Sequence, residues 1–136
     1  MVLSASDVSK ELRSKSSTTK ARLLSRYFKT GPGGYAEGDR FLGVTVPVTR
    51  RLARKYLDLG FRDLQKLLNS PFHEERLLAL LILIFQYEKA AKKKYSEIQK
   101  RIYDFYLGNL AAIDNWDLVD LSAYRIVGAY LFEHPA

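Results

Sequence analysis

Leu77-Leu78-Ala79-Leu80-Leu81-Ile82-Leu83-Ile84-Phe85, residues 77–85, is the longest strongly apolar run in the 136-residue chain. It leaves no polar face and sits inside a longer segment, about Phe72 to Ala90. Asn69-Ser70-Pro71 opens that segment as a cap followed by a proline. Glu74 and Glu75 fall in its first turn, where they complement the helix dipole. A helix apolar on every side has to be surrounded by other helices. The segment therefore predicts an all-α protein with this helix at its centre.

The neighbouring stretches supply the surrounding helices. Sustained period-two alternation is absent and there are only four prolines, so the pattern reads helical almost throughout. One helix is expected over about Ser6 to Lys15. A second, about Thr18 to Lys29, carries Leu23, Leu24, Tyr27 and Phe28 at helical spacing. Four of the eight glycines fall between Thr30 and Arg40, which makes that segment a loop. Phe41-Leu42-Gly43-Val44 reads as a short buried connector. Thr45 and Pro47 start a helix running to about Leu59, with Gly60 stopping it, and Phe61 to Leu68 forms a short helix. Lys92-Lys93-Lys94 opens an amphipathic helix to about Leu110, with Ile98, Ile102, Phe105 and Tyr106 inward. Asp114 caps a last helix, about Asn115 to Phe132. Short joints between amphipathic and fully apolar helices suit a HEAT-like α-solenoid of stacked antiparallel pairs. No clean repeat period is visible, and a compact bundle is the alternative architecture.

Composition limits the chemistry. There is no cysteine, which excludes disulfides, zinc–thiolate sites, iron–sulfur clusters and cysteine nucleophiles. Two histidines, His73 and His134, are too few for a histidine-built metal centre. No metal and no cofactor is expected. Neither a signal peptide nor a membrane span is evident, so the expected location is cytoplasmic. At 15.6 kDa the chain makes one domain, large enough to bury roughly two-thirds of its unfolded surface. Its 22 Lys and Arg against 15 acids give a net charge of +7, which suits a polyanionic partner, most commonly nucleic acid.

Three stretches could carry function. In Asp114-Asn115-Trp116-Asp117-Leu118-Val119-Asp120, the only tryptophan and three carboxylates share seven residues. Trp116 and Asp120 are four apart, on one face of the expected helix, while Asp117 points elsewhere. An aromatic plate beside an anion suits a cationic ligand; the same residues would also serve as a helix contact and its caps. Gly31-Pro32-Gly33-Gly34 matches neither a P-loop nor a dinucleotide fingerprint. Its backbone N–H groups could contact a phosphate, or the segment is a plain connector. Arg50, Arg51, Arg54 and Lys55, with Arg22, Arg26, Lys29 and Arg40, could line one concave side and contact phosphates. Tyr87, Tyr95, Tyr103 and Tyr106 read as amphipathic packing.

Together the ordered strings resemble the DNA alkylation repair enzyme family, the AlkD-like DNA glycosylases. They are Arg26-Tyr27-Phe28-Lys29-Thr30-Gly31-Pro32-Gly33, Gly38-Asp39-Arg40-Phe41-Leu42-Gly43-Val44, Val46-Pro47 with Arg50-Arg51, Ser70-Pro71-Phe72-His73-Glu74-Glu75-Arg76, Ile102-Tyr103-Asp104-Phe105-Tyr106 and Asn115-Trp116-Asp117-Leu118-Val119-Asp120. The match spans about residues 22 to 132. It implies an all-α HEAT-like solenoid with a basic concave groove for double-stranded DNA. The implied reaction is hydrolysis of the N-glycosidic bond of positively charged N3- and N7-alkylated purines, without a metal. The family's catalytic Trp-x-x-x-Asp pair falls on Trp116 and Asp120, and its aromatic residue before the glycine loop on Tyr27. Tyr27, Lys29, Arg40, Arg50, Arg51 and Arg54 are the expected DNA-binding residues, and Asp117 is structural. Family members continue through further helical repeats after the Trp-Asp motif. Residues 1–136 are accordingly expected to be the N-terminal part of a longer glycosylase domain. Weak or no activity is then expected, with self-association through an exposed apolar face at Val127, Tyr130 and Leu131. The rival readings are a non-catalytic HEAT-like scaffold for DNA or protein, and an RNA-binding helical protein.

Overall fold

In a computed structural model, residues 4–27, 40–113 and 116–134 are described, apart from the side chains of Tyr27, Ala112, Trp116, Asp117, Asp120 and Leu121. The elements are α1 (Ala5–Arg13), α2 (Thr18–Tyr27), α3 (Val46–Lys55), α4 (Phe61–Leu68), α5 (His73–Lys92) and α6 (Ser96–Gly108). A 3₁₀ turn (Leu110–Ala112) leads to α7 (Trp116–Ala123), a π-helical segment (Tyr124–Gly128) and α8 (Ala129–Glu133), which run on without a break. No strand occurs among the described residues; an isolated bridge joins Arg40 to Phe72. The fold is all-α, a helical repeat.

α5 is the axis on which α3, α4, α6 and α7 pack. Every residue from His73 to Phe85 is buried, and α3, α4, α6 and α7 all contact α5. This is the arrangement that the uninterrupted apolar run demands. Burying each leucine or isoleucine contributes about 1.5–3 kcal/mol relative to leaving it in water. α3, α4 and α6 each present one buried stripe, for example Leu64, Leu67 and Leu68 on α4.

The polar residues at the start of α5 are buried too, and each is partnered. Glu74 accepts hydrogen bonds from the backbone N–H groups of Leu42 (2.9 Å), Gly43 (2.8 Å) and Val44 (3.1 Å). Glu75 accepts from Ser9 Oγ (3.0 Å) and Arg13 Nε (2.7 Å). Arg76 donates to the Ser70 carbonyl at 3.1 Å, and His73 stacks on Phe41 with centroids 4.7 Å apart. These two carboxylates therefore tie the connector and α1 to α5, beyond complementing its dipole. At Gly43 the connector turns with φ +83°, and a Cβ there would lie 2.0 Å from the Ser17 carbonyl oxygen. Only glycine fits such a site.

Several boundaries differ from the sequence expectation. α3 ends at Lys55, and Gly60 (φ −78°) is the N-cap of α4 instead of the stop for α3. Gln86 fixes the intervening turn by donating to the Leu57 (2.7 Å) and Leu59 (2.9 Å) carbonyls. Lys92-Lys93-Lys94 does not open a helix. It closes α5, where cations offset exposed carbonyls, and Lys94 takes φ 58°. With α6 starting four residues later than expected, Ile98 and Tyr95 are exposed, while Ile102 and Tyr106 are buried. Tyr103 is half-buried and stacks on Tyr130 at 4.1 Å. That stacking also corrects the expected apolar face: Tyr130 and Val127 pack against the core, and Tyr124, Leu131 and Phe132 are the exposed residues. Asp114, expected to cap the last helix, and the glycine loop lie outside the described residues.

Candidate nucleic-acid interface and catalytic pair

Trp116 and Asp120 both lie on α7, as the spacing predicts. The described side chains of α7 fix how the helix sits. Leu118 and Ser122 are fully buried, and Ile126, one turn further, is buried as well. At about 100° per residue, the line through positions 116 and 120 falls about 200° around the helix from the line through 118 and 122. Positions 116 and 120 therefore belong to the side of α7 away from its packing stripe.

The stripe itself is held by hydroxyls. Ser122 donates to the Leu118 carbonyl at 2.6 Å, and the Tyr106 hydroxyl of α6 lies 2.9 Å from Ser122 Oγ. Burial raises the Tyr106 pKa, and the Ser122 hydrogen bond opposes that rise. One turn on, Arg125 pairs with Glu88 of α5.

The candidate cations divide into three groups. Arg54 lies over the ring of Phe85 on α5, 4.3 Å from its centroid. Phe85 and Glu88 are three residues apart on α5, so Arg54 of α3 and Arg125 of the π-helical segment flank neighbouring positions on one side of that helix. Arg51 faces a different way. It lines a cleft of about 250 Å³ between α1 and α3 with Lys15, Glu11 and Lys55. Arg50 is half-buried. Lys55 is bound to Glu11 at 2.8 Å. Glu11 is held below its usual pKa by hydrogen bonds from Lys55 and then Tyr56. Arg40 is exposed and lies 5.0 Å from the centroid of Phe72, whose ring Arg13 also approaches at 4.9 Å. Phe72 precedes Phe85 by thirteen residues, about 20 Å along α5. The basic residues thus form a spaced set, and Arg51 does not share the Arg54 face. Tyr27 is the last residue of α2, while Lys29 lies outside the described residues.

Sequence reasoning passes over Arg125 and Ser122, and it reads Tyr106 as inward packing without the hydroxyl contact that it makes. Arg125 stands in an apolar context and gave no clustered charge. Hydroxyls of tyrosine and serine carry no sequence signal for a contact sixteen residues apart.

Among the described residues no group of three or more His, Asp or Glu side chains is placed to hold a metal ion. No described helix is long and apolar enough to cross a membrane. The described residues form an all-α helical repeat with Arg40 and Arg54 at separate points along its central helix. The sequence pattern of the DNA alkylation repair enzyme family matches residues 8–136. The chain belongs to that family, which gives it a role in DNA alkylation repair. No curated protein and no solved structure matches it significantly.

Proposed function

We propose that the chain is a DNA glycosylase acting on positively charged N3- and N7-alkylated purines in duplex DNA. The observation that carries the reading is the placement of positions 116 and 120 together, on the side of α7 away from the buried Leu118–Ser122 stripe. Alkylation makes the purine a cationic leaving group, so its departure needs little acid catalysis. The deoxyribose gains oxocarbenium character as the bond breaks, as in glycoside hydrolysis. A carboxylate at Asp120 would stabilise that charge and orient the attacking water. The ring of Trp116 would attract the cationic base, contributing about 0.5–2 kcal/mol. No cofactor has a part in this scheme.

Arg40 and Arg54 would take backbone phosphates at two points. Their anchors on α5 are about 20 Å apart, the rise of about six base steps at 3.4 Å per nucleotide. Arg50 and Arg51 would add flanking contacts, Arg51 from the cleft between α1 and α3. Tyr27 and Lys29 are proposed to meet the backbone near the lesion. The test is release of free 7-methylguanine from methylated duplex DNA by the complete gene product and by its Asp120→Asn variant. Release that collapses in the variant while DNA binding persists supports the reading. Salt-dependent DNA binding with no release by either protein would replace it with a non-catalytic scaffold.

A further inference from the structure

The Tyr106–Ser122 hydroxyl pair and the π-helical turn that follows Ser122 are not part of the proposed chemistry, yet they join α6 to the helix that bears it and continue that helix. Ser122 has a single hydroxyl proton, and at 2.6 Å that proton goes to the Leu118 carbonyl. Tyr106 is therefore the donor in the 2.9 Å contact to Ser122 Oγ. Both residues are buried, Tyr106 at 1% and Ser122 at 0% exposure. A serine bonded back to the carbonyl four residues earlier bends a helix, and here the π-helical segment begins two residues later.

The wide turn has a geometric use. In a regular helix a stripe at every fourth residue drifts by about 40° per step. A π turn sets that drift back, and π turns cluster at functional sites. Leu118, Ser122 and Ile126 consequently all stay buried, with Tyr130 packed against the same core. The Arg125–Glu88 pair ties the π-helical segment itself to α5. The rotation of α7 is thus fixed on two sides, by α6 through Tyr106 and by α5 through Glu88. Positions 116 and 120 turn with the same helix.

We propose that Tyr106 and Ser122 are positioning residues that lock the rotational register of α7, and with it the orientation of the Trp116–Asp120 edge. This rests on the glycosylase reading for its catalytic consequence, but the lock can be read without activity. Trp116 is the only tryptophan, so its fluorescence quenching by acrylamide reports on α7 alone.

The experiment compares the chain with Tyr106→Phe, the double variant Tyr106→Phe/Ser122→Ala, and Ser122→Thr. Each is measured for Tm, for the Trp116 quenching constant, and for the single-turnover rate and Kd on methylated duplex DNA. Removing both partners of a buried hydrogen bond is nearly neutral for stability. The double variant is expected to keep a Tm close to that of the unaltered chain and an unchanged Kd. Its quenching constant is expected to shift and its rate to fall about tenfold, the kind of loss that a small misplacement of reacting groups produces. Ser122→Thr keeps the hydroxyl and is expected to keep both readouts. Unaltered quenching in Tyr106→Phe and the double variant overturns the lock, as does a rate that follows Tm alone. Should the double variant not fold, Tyr106→Phe decides by the same readouts. If the unaltered chain releases no base, the rates are compared in the complete gene product, whose failure to release base would end the glycosylase reading, and the quenching shift still decides whether the register is locked.

Discussion

Replacing Glu74 by glutamine changes one side-chain atom at the point where the connector joins α5. In the native structure Glu74 Oε2 accepts from Gly43 and Val44 and Oε1 from Leu42. A glutamine can keep its oxygen toward Gly43 and Val44, but its NH₂ group must then face the Leu42 N–H. One charge-assisted hydrogen bond is lost with a donor left facing a donor, costing about 2 kcal/mol. The other two weaken from charged to neutral acceptors, costing about 1 kcal/mol each. Relief from burying the carboxylate charge offsets part of that. The net loss is about 3 kcal/mol, which at roughly 3–4 °C per kcal/mol lowers Tm by about 10 °C. Thermal unfolding followed by circular dichroism at neutral pH measures it. Asp104→Asn is the control, because Asp104 sits in an exposed pair with Lys100 and should move Tm little. A Glu74→Gln shift no larger than that of Asp104→Asn would refute the idea that three N–H groups converging on one carboxylate hold the connector in place.

Other expectations follow from the same structure. Gly43→Ala should destabilise by about 4 kcal/mol, because it combines a positive φ with a Cβ driven into the Ser17 and Ala21 backbone; a urea titration would measure it, and an unchanged midpoint would contradict the geometry. Arg54→Gln should lower the slope of log K against log salt for DNA by about one unit, with about 0.5–1 kcal/mol of stability lost from the ring contact with Phe85. Arg51→Gln should lower the slope similarly and leave stability unchanged; a slope unaffected by both variants would remove α3 from the interface. Tyr87 has its pKa raised to about 12, first by burial and then by the Glu133 charge, with Gln99 opposing. A raised pKa means that the neutral form is favoured on folding. The associated stability is fully present below about pH 10 and is lost as pH climbs to about 12. Tyr87→Phe should flatten the alkaline fall in Tm, and an unchanged fall would assign it to other groups.

How far the sequence foretold this structure depends on the kind of signal. The nine-residue apolar run could be satisfied only by burial on all sides, and α5 is buried so. α4 was readable to the residue because its apolar spacing, Leu64, Leu67 and Leu68, is bounded by Gly60 and Asn69. Gly60 itself was misread, since glycine serves either end of a helix and local sequence does not say which. The three lysines from Lys92 to Lys94 were ambiguous in the same way, because a charged run closes one helix as readily as it opens the next. The Trp116–Asp120 spacing was legible as a shared face. That this face turns away from the packing stripe needed the burial of Leu118 and Ser122. The separation of Arg51 from Arg54 was implicit in helical geometry, yet only the positions of α1 and α5 around α3 give it meaning.

α5 also bears on how the molecule can come apart. In an array of self-sufficient repeats, an end can fray while the rest persists. Here α3 and α4 on one side and α6 and α7 on the other close over the same buried cylinder, so stripping either pair exposes leucines that no remaining neighbour can cover. Local opening should therefore stop at the chain's surface turns. The amides of α5 should exchange with solvent only when the whole domain unfolds, as one cooperative unit.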